Sequence, residues 1–141
     1  MKKVILNKCY GGFGVSYKAY KLYTKKKGLN LFIYELTHPK FGEFVYVKRD
    51  TTYDIEHETF VEFTTRDLGE KVNDLGDAHL NINTKYREDP TLVEVVEELG
   101  KDANDRYSEL HIVEIPDDVA EDYVIDDYDG IETLHKRVQV W

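Results

Sequence analysis

The sequence predicts a mixed α/β (α+β) fold built on a single mixed sheet, with an N-terminal strand-helix-strand unit and helices packed on it. Three observations predict it. Short apolar or alternating runs at Lys3–Asn7, Leu29–Leu36 and Leu110–Ile115 have strand character, and two segments, Tyr17–Lys27 and the one after Asp89-Pro90, carry helical spacing with capping signals. With 141 residues and 41% hydrophobic content, the chain can bury about two thirds of the surface it exposes when unfolded, so residues 1–141 read as a single domain around one core.

Lys3–Asn7 contains the consecutive Val4, Ile5 and Leu6, too brief for a helix and suited to a buried strand. The glycine-rich turn Lys8-Cys9-Tyr10-Gly11-Gly12-Phe13-Gly14-Val15 follows, and Ser16 is a good N-cap for a helix over Tyr17–Lys27. Val15, Ala19, Leu22 and Tyr23 form the inner stripe of that helix, and Gly28 supplies its left-handed stop. Leu29–Leu36 alternates and is rich in β-formers, so strand, helix and strand together predict a parallel pair.

His38-Pro39-Lys40-Phe41-Gly42 reads as a turn, Glu43–Lys48 as a third strand, polar Arg49–Glu58 as a loop and Thr59–Thr65 as a fourth strand. Arg66–Glu88 has no sustained period and two interrupting glycines, Gly69 and Gly76, and is assigned irregular structure. Asp89-Pro90 then opens the clearest helix, an N-cap with proline at the first helical position. Leu92, Val95, Val96, Leu99 and Ala103 recur at helical spacing and predict packing on the sheet. Leu110–Ile115 is a further strand stopped by Pro116, and Tyr123–Ile125 another before the turn Asp129-Gly130. Ile131, Leu134, His135 and Val138 fit a short terminal helix. No internal repeat, low-complexity tract or linker interrupts the chain.

Composition narrows the function classes. The formal charge of −9, with a mean hydropathy of −0.56, argues against duplex nucleic acid, whose binding draws on cationic side chains. Lys18, Lys21, Lys25, Lys26 and Lys27 crowd one segment, and Asp117, Asp118, Glu121, Asp122, Asp126, Asp127 and Asp129 another; both read as solvated surface. No run approaches the roughly 18 apolar residues of a membrane span, and the first residues lack a secretory h-region, so no membrane and a cytoplasmic location are expected. The single cysteine, Cys9, excludes an internal disulfide framework and fits a reducing compartment.

The glycine-rich turn is the most informative local feature. A strand followed by glycines and a helix N-terminus can set backbone N–H groups toward an anion, so Tyr10, Gly11, Gly12, Phe13, Gly14 and Ser16 form the candidate ligand-binding set. A tight turn that simply needs glycine is the structural alternative. Neither GxGxxG nor GxxxxGK[ST] is present, so no cofactor is implied. Cys9 lies beside a helix start that can favour a thiolate, but no spacing ties a histidine to it, and an inert apolar cysteine is the competing reading. His57 between Glu56 and Glu58, or His111 with Glu109, offers metal-ligand chemistry without ligand spacing. Asp127-Tyr128-Asp129-Gly130 lacks the acidic residue of a calcium loop two places earlier, where Ile125 stands, so no metal site is assigned. Eleven tyrosines, six phenylalanines and one tryptophan can stack on a nucleobase, with Arg49, Arg66, Arg87 and Arg106 available for phosphates, while core filling is the structural alternative. The surplus of tyrosine leaves many polar ring tips that need water, a partner or a ligand.

The opening Val4-Ile5-Leu6-Asn7-Lys8-Cys9-Tyr10-Gly11-Gly12-Phe13-Gly14-Val15-Ser16 resembles the start of a family of small bacteriophage proteins. Asp89-Pro90 through Gly100, Ile112–Val119, and Tyr128 to Trp141 are similar to that family's second half. The two matches cover about two thirds of the chain and omit Arg49–Glu88; the connection around Ala120–Asp122 is longer than the family's. The resemblance implies a phage gene acting in host-cell cytoplasm and names no reaction. The expected function is a non-enzymatic binding protein, a host-defence antagonist that sequesters an anionic nucleotide-like signal or docks on a defence protein, with a homo-oligomer as a further option. The alternatives are a small enzyme acting on a nucleotide or protein, and a structural or regulatory phage factor with only protein partners.

Overall fold

A computed structural model describes residues 1–38, 40, 42–50, 60–120 and 122–137. Its elements run β1 (Lys2–Asn7), α1 (Tyr17–Lys27), β2 (Phe32–Thr37), β3 (Val45–Arg49), β4 (Val61–Thr64), β5 (Lys71–Val72), β6 (His79–Leu80), α2 (Pro90–Leu99), β7 (Leu110–Ile115), β8 (Tyr123–Tyr128) and β9 (Ile131–Lys136). The fold is mixed α/β, with two α-helices among the described residues and the rest mostly strands. The chain divides into two compact units, Met1–Tyr23 with Ile82–Trp141, and Thr24–Asn81.

In the first unit β1 pairs antiparallel with β7, from Lys2 opposite Ile115 to Asn7 opposite Leu110. Val4, Ile5, Leu6 and Asn7 are all buried. Helix α2 packs on both strands through Leu92 and Val95, each fully buried, with Val93 and Val96 beside them. Asp89 caps this helix, its Oδ1 accepting from the N–H groups of Thr91 and Leu92. Its Oδ2 accepts from the Tyr23 hydroxyl at 2.8 Å, and burial together with that carboxylate raises the tyrosine's pKa. Strands β8 and β9 form a separate hairpin, and its Ile125 and Leu134 pack, with Val113 and Tyr123, against the cluster Val4, Leu6, Ile115 and Ala120. Lys2 pairs with Glu88 at 2.5 Å and holds that carboxyl below its usual range; burial and Glu88 push the Tyr123 hydroxyl up to about 12.

The second unit is a five-stranded sheet ordered β5-β3-β2-β4-β6, every neighbouring pair antiparallel. Ile33 and Tyr34 on central β2 lie in its core with Phe63, Leu75, Ala78 and Leu80. The buried Tyr34 hydroxyl donates to the Gly69 carbonyl and accepts from the Leu68 N–H, both at 2.9 Å.

Several expectations are corrected. The strands form three sheets among the described residues rather than one, and β1 and β2 are not a parallel pair. A chain that returns by hairpins pairs neighbours antiparallel, and β1 takes its partner from a distant strand instead. The predicted terminal helix is strand β9. Asp129 and Gly130, with φ of 50° and 93°, make the two-residue turn in which both positions need positive φ, and Ile131 continues as the strand that turn demands. Arg66–Glu88 is not wholly irregular, since it holds β5, β6 and two 3₁₀ turns. The predicted turn residues Pro39 and Phe41, positions 51–58 of the predicted loop, the set Glu56, His57 and Glu58, and Val138 lie outside the described residues.

Candidate functional site

Strand β1 ends in Asn7, and that residue organises the surroundings. Its side chain, fully buried, donates to the carbonyls of Cys9 at 3.0 Å and Gly130 at 2.6 Å and accepts from the Glu109 N–H at 2.8 Å. It thereby ties three segments together: the glycine-rich turn, the loop before β7 and the β8–β9 turn. Backbone bonds complete the junction, from Lys8 N to Glu109 O at 2.8 Å, Gly11 N to Asp129 O at 3.2 Å and Gly12 N to Tyr107 O at 3.1 Å. The crossing is too close for side chains. A Cβ on Gly130 would stand 2.7 Å from Gly11 N, and one on Gly11 would collide with the Tyr107 carbonyl.

Beneath the junction lies a buried ion pair. Glu132 receives both terminal nitrogens of Arg87, at 3.1 and 2.8 Å, and the Asn7 N–H at 2.8 Å. Arg87 also donates to the Ile5 carbonyl at 3.0 Å and stacks over the Phe13 ring with its guanidinium carbon 5.2 Å from the centroid. The two side chains are 12% and 5% exposed, and each charge is satisfied by a bidentate fork with further hydrogen bonds. Lys8 closes the group by donating to the Glu132 carbonyl at 2.6 Å.

This geometry revises the anion-cradle expectation. The N–H groups of Gly11, Gly12 and Ser16 are already given to the carbonyls of Asp129, Tyr107 and Ala103. Gly14 abuts the Asp105 carboxylate, and its carbonyl accepts from Ser108 Oγ at 2.8 Å. Ser16 does cap α1, accepting from the Ala19 N–H at 3.2 Å, while its hydroxyl donates to the Asp102 carbonyl at 2.5 Å. The three N–H groups are therefore held within the chain, and the Asp105 carboxylate stands beside Gly14. Of the six candidate residues, Phe13 serves the ion pair and Tyr10 faces solvent.

What the junction does present is aromatic. Tyr10, Tyr107 and Tyr128 are 69%, 64% and 73% exposed. Tyr10 precedes Gly11, Tyr107 supplies the carbonyl that Gly12 binds, and Tyr128 precedes the Asp129 whose carbonyl Gly11 binds. Three exposed rings are thus rooted in one bonded cluster of backbone. In the sequence, Tyr107 and Glu132 carry no signal of their own, Asn7 and Tyr128 stand only inside longer motifs, and Arg87 is offered only as a phosphate-binding arginine; the surplus of tyrosine over phenylalanine is the signal toward the rings.

The chemistry-bearing candidates stay separate. Cys9 donates its thiol toward the Tyr107 carbonyl at 3.2 Å and Asn7 Oδ1 at 3.6 Å, with no imidazole among these partners. His111 bonds its near neighbour Glu109 through Nε2, at 3.1 Å. Among the described residues no group of three His, Cys, Asp or Glu side chains is arranged to hold a metal ion, and no helix is long and apolar enough to cross a membrane. Comparison with protein-family models, curated proteins and solved structures finds no match.

Proposed function

We propose that the chain is a non-enzymatic binding protein that docks on another protein through the tyrosine-rimmed junction. The observation that carries this reading is the grouping of exposed Tyr10, Tyr107 and Tyr128 on three segments bonded to one another. Tyrosine offers a large amphipathic contact at low entropic cost, and segments fixed by buried hydrogen bonds lose little further freedom on binding. Each such ring buries about 150–250 Å², so three supply much of the roughly 800 Å² per side of a stable interface. The likeness of the N-terminal motif to small phage proteins supports a host defence protein as the class of partner. A nucleotide-like anion is the weaker ligand, because the N–H groups of Gly11, Gly12 and Ser16 are already given to carbonyls of the chain.

The test compares the wild type with a triple variant, Tyr10→Ser, Tyr107→Ser and Tyr128→Ser, each purified from bacterial cells and examined by native mass spectrometry. The wild type retains a protein partner that the variant, folded by circular dichroism, loses. Recovery of a small molecule released intact on denaturation would replace docking with sequestration, and recovery of a reaction product would make the protein an enzyme.

A further inference from the structure

Resting on that docking face, we infer that the surface it fits is cationic, rich in arginine and lysine. The junction segments carry Asp105, Glu109, Asp126, Asp127 and Asp129 against the cations Lys8 and Arg106, and Lys8 is committed to the Glu132 carbonyl. Glu109 and Asp126 are bonded to His111 and His135. Asp105, Asp127 and Asp129 form no ion pair with any described Lys, Arg or His. Instead, Asp105 and Asp127 each accept one backbone N–H, from Tyr107 at 2.7 Å and Gly130 at 2.8 Å, and keep the rest of their acceptor capacity for a partner.

Carboxylates set among exposed tyrosines match one chemistry. A guanidinium can stack on a ring face and reach a carboxylate with its fork, so the same side chain satisfies both features. An acidic or purely apolar partner would strand the three carboxylates against like charge or out of water, which costs affinity. The net charge of −9 adds long-range attraction for the same class of surface.

The probes are a fluorescently labelled alternating arginine–serine peptide and its glutamate–serine counterpart, titrated by anisotropy. Asp105→Asn, Asp127→Asn and Asp129→Asn are combined in one variant; asparagine keeps the Oδ1 acceptors and tolerates the positive φ of Asp129. A control variant, Glu94→Gln, Glu114→Gln and Asp118→Asn, removes the same charge from exposed positions elsewhere. The inference expects the wild type to bind the arginine peptide, less tightly as salt rises, and not the glutamate peptide. It expects the asparagine variant to bind about tenfold more weakly and the control within about twofold. Unchanged binding by the asparagine variant, an equal loss in the control, or preference for the glutamate peptide would overturn it. The Tyr10, Tyr107 and Tyr128 serine variant separates the two readings. If it loses the peptide while the asparagine variant does not, the face stands and the recognition of cations by its carboxylates falls; if it binds like the wild type, the face itself falls.

Discussion

Two coverings of the same strand, β1, work by different physics. Helix α2 meets it with Leu92 and Val95 in apolar contact, edged by the Lys3–Glu97 ion pair at 2.9 Å. The β8–β9 hairpin adds to its own apolar contact, Ile125 and Leu134 on Val4 and Leu6, a set of directional bonds at Asn7, Glu132 and Arg87. Apolar burial gains in proportion to area and tolerates small shifts; a buried ion pair contributes only when its geometry is complete. The helix therefore supplies stability, and the hairpin clamp supplies placement. That placement is what brings Tyr128 to Tyr10 and Tyr107.

The sharpest break falls on the helix. Val95→Asp buries an unpaired carboxylate at a cost of several kcal/mol, against about 5–15 kcal/mol for a whole domain, and is expected to abolish the cooperative melt. An unchanged melting curve would show that α2 presents another face. Next comes the clamp, where Arg87→Met or Glu132→Leu alone is expected to cost about 3–5 kcal/mol and the double variant to regain most of it. Denaturant unfolding of the full cycle measures this, and additive losses would mean that the pair is not coupled.

A smaller effect separates the junction from an ordinary helix end. Gly130→Ala meets the Gly11 backbone as well as unfavourable φ and is expected to cost about 1–3 kcal/mol. Gly28→Ala, at the end of α1 with φ of 68° and nothing within 4 Å of the added carbon, is expected to cost about 1 kcal/mol from φ alone. Equal losses would deny the close crossing. The smallest effect is in pH. Because Glu88 has a depressed pKa in the folded protein, its pairing stabilises above the unfolded value near about 4.3 and is lost as pH falls through the folded one. Melting temperature is expected to drop below about pH 4, and Lys2→Met to lessen that drop by under about 1 kcal/mol for so exposed a pair.

The same contrast explains what could be read in the sequence. Helices α1 and α2 were legible because period, cap and stop lie within a dozen residues: Ser16, Gly28 and Asp89-Pro90 each do locally what their type predicts. Strands β1 and β7 were legible as elements, yet their pairing was not, since no local signal joins Lys2 to Ile115. Ile131, Leu134, His135 and Val138 fall at helical spacing and imitate a helix, although Asp129-Gly130 just before them is a hairpin turn. The candidate site was half visible. The sequence marks Gly11 as a donor to a ligand, whereas the structure makes it, with Gly130, the thin point of a backbone crossing. Arg87 was hidden in a segment without period, and its partner lies 45 positions away.

The crossing at Gly11, Tyr107 and Gly130 has a consequence for the order of events in synthesis. Its bonds join residues whose separation spans most of the chain, so closing it carries the entropy of very long loops and raises the contact order of the first unit. Helices form on their own timescale, but the tyrosine face has no earlier, partial form. It comes into being only once residue 130 has left the ribosome, and nothing can engage that face before then.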